Sequence, residues 1–180
     1  MADDRLLRVL GEVQRRGAIG RGPLVDSIAH ARQFVDALPV EPGVLIDLGS
    51  GGGLPGLVIA ASVPNWVLHL IERRTKRADL LRYAVSALGV DDRVTVHACD
   101  VDDVGPGLHG CADVVTARSF ASLGEVLLAA RPLLCPTGRV IISDPPGGIR
   151  RLSGAIPVDL GFFDAGRRGG VHLYEVIDRH

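Results

Sequence analysis

From Val44 to Ser143 the chain alternates short apolar runs with longer stretches of helical periodicity: "VLIDL", the segment after Pro55, "WVLHLI", "KRADLLRYAVSAL", "RVTVH", "ADVVTA", "LGEVLLAARPLL" and "GRVIIS". Few folds accept that order. Runs that are apolar at nearly every position need cover on both faces, and the helical stretches between them supply it. The pattern therefore implies βαβ units, an α/β fold with a mostly parallel sheet and helices on both faces. The tail "AIPVDLGFFDAGRRGGVHLYEVIDR" differs and reads as two strands joined by a Gly/Arg turn, an antiparallel end to the sheet.

Ahead of this region, Leu6, Leu10 and Val13 recur at helical spacing among Arg5, Arg8, Glu12, Arg15 and Arg16, which predicts an amphipathic helix ending near Gly17. "GAIGRG" breaks it. A second helix is expected from Pro23 to about Leu38, with Leu24, Ile28, Ala31 and Val35 on one face. We read residues 1–40 as a short helical preface and 41–180 as the ligand-binding domain, together one compact domain; 180 residues at 47% hydrophobic can bury a single core.

A net charge of −1 gives no bulk electrostatic case for nucleic acid or an acidic membrane, so any such contact must use a local patch. The basic clusters are Arg15, Arg16 and Arg21; Arg73, Arg74, Lys76 and Arg77; and Arg150, Arg151, Arg167 and Arg168. Rings that could stack on a base are few, chiefly Trp66, Tyr83, Phe120, Phe162 and Phe163. Cys99, Cys111 and Cys135 show no CxxC spacing, and neither a secretory signal nor an apolar run of membrane-spanning length appears, so the expected setting is a reducing cytoplasm without a membrane partner. His30, His69 and His97 read as satisfied helix or strand residues, and no metal is expected.

In an open parallel sheet, ligands bind beyond the carboxyl ends of the strands. There stands "LIDLGSGGGLPG", Leu45 to Gly56, whose Gly51, Gly53 and Gly56 satisfy the GxGxxG pattern of a dinucleotide site, with Glu72 at the end of the second strand to accept ribose hydroxyls. A nicotinamide-dependent oxidoreductase and a plain tight turn both remain open on that pattern. Two residues favour a methyl donor instead. Asp47, directly before the glycines, repels a pyrophosphate and attracts the positive charges of S-adenosylmethionine. Pro55 removes a backbone donor that a pyrophosphate would use. After the third strand, Asp100 and the backbone of Val101 are placed to meet an adenine.

"DLGSGGGLPG", "IERRTKRADLLR" and above all "VVTARSFASL", Val114 to Leu123, together resemble the glucose-inhibited division protein B family, over about Val44 to Gly138. The resemblance implies the class I methyltransferase (Rossmann-like) fold, S-adenosylmethionine as cofactor, and methyl transfer to N7 of a guanine in 16S ribosomal RNA. It places cofactor contacts at Gly49 and Leu54 in the first loop, Val101 and Asp102 after the third strand, and Arg118 after the fourth. With Asp47, Ser50, Gly51, Gly53, Glu72 and Asp100 these make the expected donor site. The chain departs from the family pattern at Gln33, where a histidine is usual, at Ala37, where a serine is usual, and at "SDPPGG", where a lysine-glycine pair is usual. On the acceptor side the candidates are Arg118 and Asp144. A small molecule or another RNA as acceptor, or a non-catalytic relative, are the alternatives within the fold.

Overall fold

The computed structural model describes residues 2–143 and 156–177. Two helices, α1 (Ala2–Arg15) and α2 (Leu24–Asp36), precede an alternating core. This comprises β1 (Val44–Leu48), α3 (Gly56–Ser62), β2 (Val67–Ile71), α4 (Thr75–Leu88), β3 (Val94–His97), β4 (Ala112–Ala117), α5 (Leu123–Ala130) and β5 (Leu134–Ser143). A helical turn, α6 (Ile156–Asp159), leads into β6 (Phe162–Arg168) and β7 (Val171–Val176). The start of the tail pattern, read as strand from sequence, is thus partly helical. The described strands form one sheet in the order β3-β2-β1-β4-β5-β7-β6, parallel from β3 to β5, with β7 antiparallel to both β5 and β6.

The apolar stripe of α1 is Leu6, Val9, Leu10 and Val13, all buried, and it packs with α2, α3 and α4 on one face of the sheet. On the other face, α5 and the segment carrying Val104 and Leu108 cover Ile46, Leu48, Val115 and Ile142. Successive strand residues face opposite sides, so Leu45 belongs to the first cluster and Ile46 to the second. This two-sided burial is why the strands read as continuous apolar runs. The helix α5 begins with a capping box: Ser122 caps the Glu125 N–H, and the Glu125 carboxylate accepts the Ser122 N–H at 2.9 Å.

Long-range polar contacts tie the preface to the rest. Arg5 Nε donates to Ala87 O at the end of α4 at 2.8 Å, and Gln33 Oε1 accepts the backbone N–H of Gly170 in the β6–β7 turn. Gln33 therefore joins α2 to the C-terminal hairpin. The chain order reverses between β1 and β4, which β1 pairs with on the side away from β2. A crevice at the carboxyl ends of these strands follows from that reversal.

Candidate functional site

A groove of about 770 Å³ opens at that switch point, lined among others by Gly49, Glu72, Asp100, Val101, Asp102 and Phe120. Its size suits a nucleoside-sized ligand. Glu72 is its fixed point. The side chain is buried, and its two oxygens accept backbone N–H groups from different loops, Oε2 from Gly51 at 3.0 Å and Oε1 from Arg74 at 2.8 Å. Each carboxylate oxygen retains a further lone pair, so the group can still accept a vicinal diol.

The loop after β1 is folded on itself by Ser50, whose N–H donates to Ile71 O at 2.9 Å and whose hydroxyl donates to Asp47 O at 3.0 Å. Gly49 sits at φ +63°, and a Cβ built there would lie 2.5 Å from Phe120 Cδ2. Only glycine gives both the left-handed backbone and the space for that ring. Phe120 in turn follows Ser119, which holds φ +52° without being glycine. The strained residue turns the chain back so that the phenyl ring reaches the glycine loop.

Asp47, expected from sequence to favour a cationic donor by its charge, is set back from the surface. It is only 1% exposed and is not among the groove's lining residues. Its Oδ1 accepts the Thr116 hydroxyl at 2.6 Å, and its Oδ2 has no hydrogen-bond partner among the described residues. Burial pushes its carboxyl up to about 6, against the opposing pull of Thr116 and the nearby Arg118 guanidinium. Thus the Asp47 carboxyl is tied to β4 through Thr116 and is set back from the groove wall. Arg118 is half-buried, and its Nη1 is likewise without a partner among the described residues. Burial lowers its pKa, and attraction to Asp47 opposes that.

Of the expected donor residues, Gly49, Glu72, Asp100, Val101 and Asp102 line the groove; Ser50, Gly51, Gly53 and Leu54 belong to the loop after β1 without lining the groove, and neither Asp47 nor Arg118 is on its wall. Asp144, Arg150 and Arg151 lie outside the described residues. Arg73, Arg74 and Arg77 form a basic lip, with Arg73 3.7 Å from Asp100 in a loose, exposed pair. Arg15 and Arg16 instead pair with Glu12, and Arg16 also lies 5.2 Å over the Tyr83 ring. Trp66 and Phe162 are buried core residues. Cys99 and His109 also line the groove, a placement that their sequence context does not announce. His69 and His97, far apart in the chain, meet on adjacent strands with Nδ1 and Nε2 3.0 Å apart. No cluster able to hold a metal ion is found among the described residues.

The stretch that builds this groove lies within residues 10–143, which match the family model GidB, described as rRNA small subunit methyltransferase G. This chain belongs to the GidB family. Relatives named ribosomal RNA small subunit methyltransferase G include one from Rhizorhabdus wittichii, 35% identical over 76% of this chain and 67% of that protein. Another, from Granulibacter bethesdensis, is 41% identical over 62% of this chain and 49% of that protein. The chain spans about half to two thirds of the length of the curated GidB relatives it matches. Among solved structures, a putative S-adenosylmethionine-dependent methyltransferase from Methanococcus maripaludis aligns with a TM-score of 0.67 at 12% identity, covering 86% of each chain. The antibiotic-resistance methyltransferase Kmr aligns at 0.61 and 23% identity, covering 82% of this chain and 93% of that one. These likenesses establish the class I methyltransferase fold for this GidB chain.

Proposed function

We propose that this chain transfers a methyl group from S-adenosylmethionine to N7 of a guanine in 16S rRNA, in the cytoplasm. The observation that carries the donor half is Glu72, a buried carboxylate fixed by two backbone amides at the carboxyl end of β2, where a ribose diol can be accepted by both oxygens. The acceptor half is supported by family membership and by the basic lip of Arg73, Arg74 and Arg77 beside the groove, which suits the phosphates of an RNA strand.

The residues fit the donor. Glu72 holds the ribose, Val101 and Asp102 border the adenine end, and Gly49 lets the ligand lie against backbone. Arg118, whose buried Nη1 has no partner among the described residues, supplies positive charge near Asp47 at this end of the site. When bound, the donor supplies an electrophilic methyl on a sulfonium. The protein's contribution is to align the acceptor nitrogen with it and to exclude water. Guanine N7 has an available lone pair, so no general base is required at the site. The test is to compare N7-methylguanosine in small-subunit rRNA from wild-type and deletion strains, restoring the latter with this chain. Unchanged modification on deletion overturns the proposal.

A further inference from the structure

The segment between the two preface helices, residues 17–22, is fastened at both ends. Gly17 N and Ala18 N donate to Gln14 O and Val13 O at 2.9 and 3.2 Å, which closes the end of α1. Further along, the side-chain amide of Gln14 donates to two carbonyls, Gly20 O at 2.6 Å and Gly22 O at 2.8 Å. A single side chain thus pins the whole strap. What the strap lies on is the glycine loop of the groove. A Cβ built on Gly52 would run into Ile19 Cγ1 and would lie 2.6 Å from Ala18 O, a backbone atom that cannot swing aside. Gly52 is buried by this contact, and its neighbour Gly51 is the residue whose N–H is held by Glu72.

A loop almost without side chains takes its shape from what touches it, because glycine has more backbone freedom to lose than any other residue. If the strap were loose, the loop would have to be ordered at the moment a ligand binds, and affinity would fall by that cost. We propose that Gln14 is a positioning residue for the methyl donor: by clamping Gly20 and Gly22 it holds Ala18 and Ile19 against Gly52 and so fixes the glycine loop in its ligand-ready shape. The inference rests on the donor-binding reading of the groove. It assigns to α1 a part in donor affinity although no α1 residue lines the groove.

The chemistry of the clamp defines the test. Two carbonyls demand a side chain with two donors, which the Gln amide and the Lys ammonium have and the Glu carboxylate lacks. Titration calorimetry with S-adenosylhomocysteine on the full chain, well below the melting temperature, is compared for wild type, Gln14→Glu, Gln14→Lys and Ile19→Ala. Loss of two hydrogen bonds predicts roughly tenfold weaker binding for Gln14→Glu, several-fold weaker binding for Ile19→Ala, and recovery to within about twofold for Gln14→Lys. Wild-type affinity in Gln14→Glu, or a Gln14→Lys variant as weak as Gln14→Glu, overturns the proposal. Should Gln14→Glu fail to fold, Ile19→Ala decides, since it leaves the clamp intact and removes only the contact with Gly52; unchanged affinity there is equally fatal. A wild-type chain that binds no S-adenosylhomocysteine overturns the donor reading and the proposal together, whereas wild-type binding with unaffected variants overturns the proposal alone.

Discussion

The loop after β1 runs Gly-Ser-Gly-Gly-Gly-Leu-Pro and, beyond the internal bonds of Ser50, is held by atoms of other segments: Ile71 O, the Glu72 carboxylate and the strap at Ile19. The loop after β4 runs Arg-Ser-Phe-Ala-Ser and is anchored at its end by the Ser122–Glu125 box of the helix it starts, with the Phe120 ring against Gly49. Both wall the same groove. The first offers a ligand bare backbone and depends on outside support, so its weak points lie at residues remote in sequence. The second carries side chains toward the groove and has its cap within the helix it starts, so loss of that cap should act locally.

The largest expected effect is at the support common to the β1 and β2 loops. Glu72→Ala leaves the Gly51 and Arg74 amides without their acceptor and removes the group proposed to hold the ribose. Loss of two charge-assisted hydrogen bonds predicts a stability cost of about 3 kcal/mol or more, and loss of the proposed ribose contact a fall in S-adenosylhomocysteine affinity of about a hundredfold or more. Glu72→Gln, which keeps one acceptor oxygen, should fall between. Calorimetry and urea unfolding measure the two quantities separately. Near-normal affinity in Glu72→Ala would mean that the loop holds its shape without external support, and the contrast between the loops would fail.

Asp47 ties together the strands that carry the two loops, since it lies one residue from the end of β1 and bonds to Thr116 of β4. Burial raises its pKa to about 6 from the ordinary 3.8, so the folded protein binds this proton more tightly than the unfolded chain. Its contribution to stability is therefore fully present below about pH 4 and is lost as pH rises through 6, by an amount on the order of 3 kcal/mol. Asp47→Asn has no such titration. The difference in urea-derived stability, wild type minus variant, should drop by about that amount between pH 4 and pH 7. Parallel pH profiles would show that the carboxyl is not held apart from water as its surroundings imply.

Much of this arrangement was legible in the sequence. The strands β1 to β5, the hairpin end of the sheet, the glycine loop and Glu72 follow from periodicity and from a motif whose spacing has a backbone cause. What escaped was direction and long-range pairing. The position of Asp47 was readable, but whether its carboxylate faced the groove or the core depended on Thr116, 69 residues away. The His69–His97 contact depends on strand adjacency, and the strap on Gly52 depends on how α1 packs on α4, neither of which is encoded near the residues concerned. Gln33 read from sequence as the loss of a family histidine; in the structure it accepts from Gly170 and serves the fold. Phe120 was visible as a ring, but its seat on Gly49 needed the left-handed Ser119 that precedes it.

That seat is where the two loops touch, and it gives the next effect in size. Gly49→Ala forces an L-residue into φ +63° and drives its methyl to within 2.5 Å of Phe120 Cδ2. The backbone term alone is about 1–2 kcal/mol, and the clash adds to it. Gly49→Ala should destabilise by about 2 kcal/mol or more, and Gly49→Ala/Phe120→Ala should be less destabilised than the sum of the single changes. A double-mutant cycle by urea unfolding reads the coupling. Strict additivity would mean that the loops do not bear on each other.

The smallest effect belongs to the locally supported loop. Ser122→Ala removes the cap on α5 and the acceptor for the Glu125 N–H, while the Ser122 N–H bond to Glu125 Oε2 can persist. Caps of this kind contribute about 1 kcal/mol. Because α5 also buries Leu123, Val126, Leu127 and Ala130, the helix should stay in place and only its first turn should fray. Hydrogen exchange should then accelerate at the amides of residues 123–126, with little change in S-adenosylhomocysteine affinity. A fall in affinity comparable to that of Glu72→Ala would mean that the β4 loop depends on its cap as strongly as the glycine loop depends on its neighbours, and the distinction between the two would disappear.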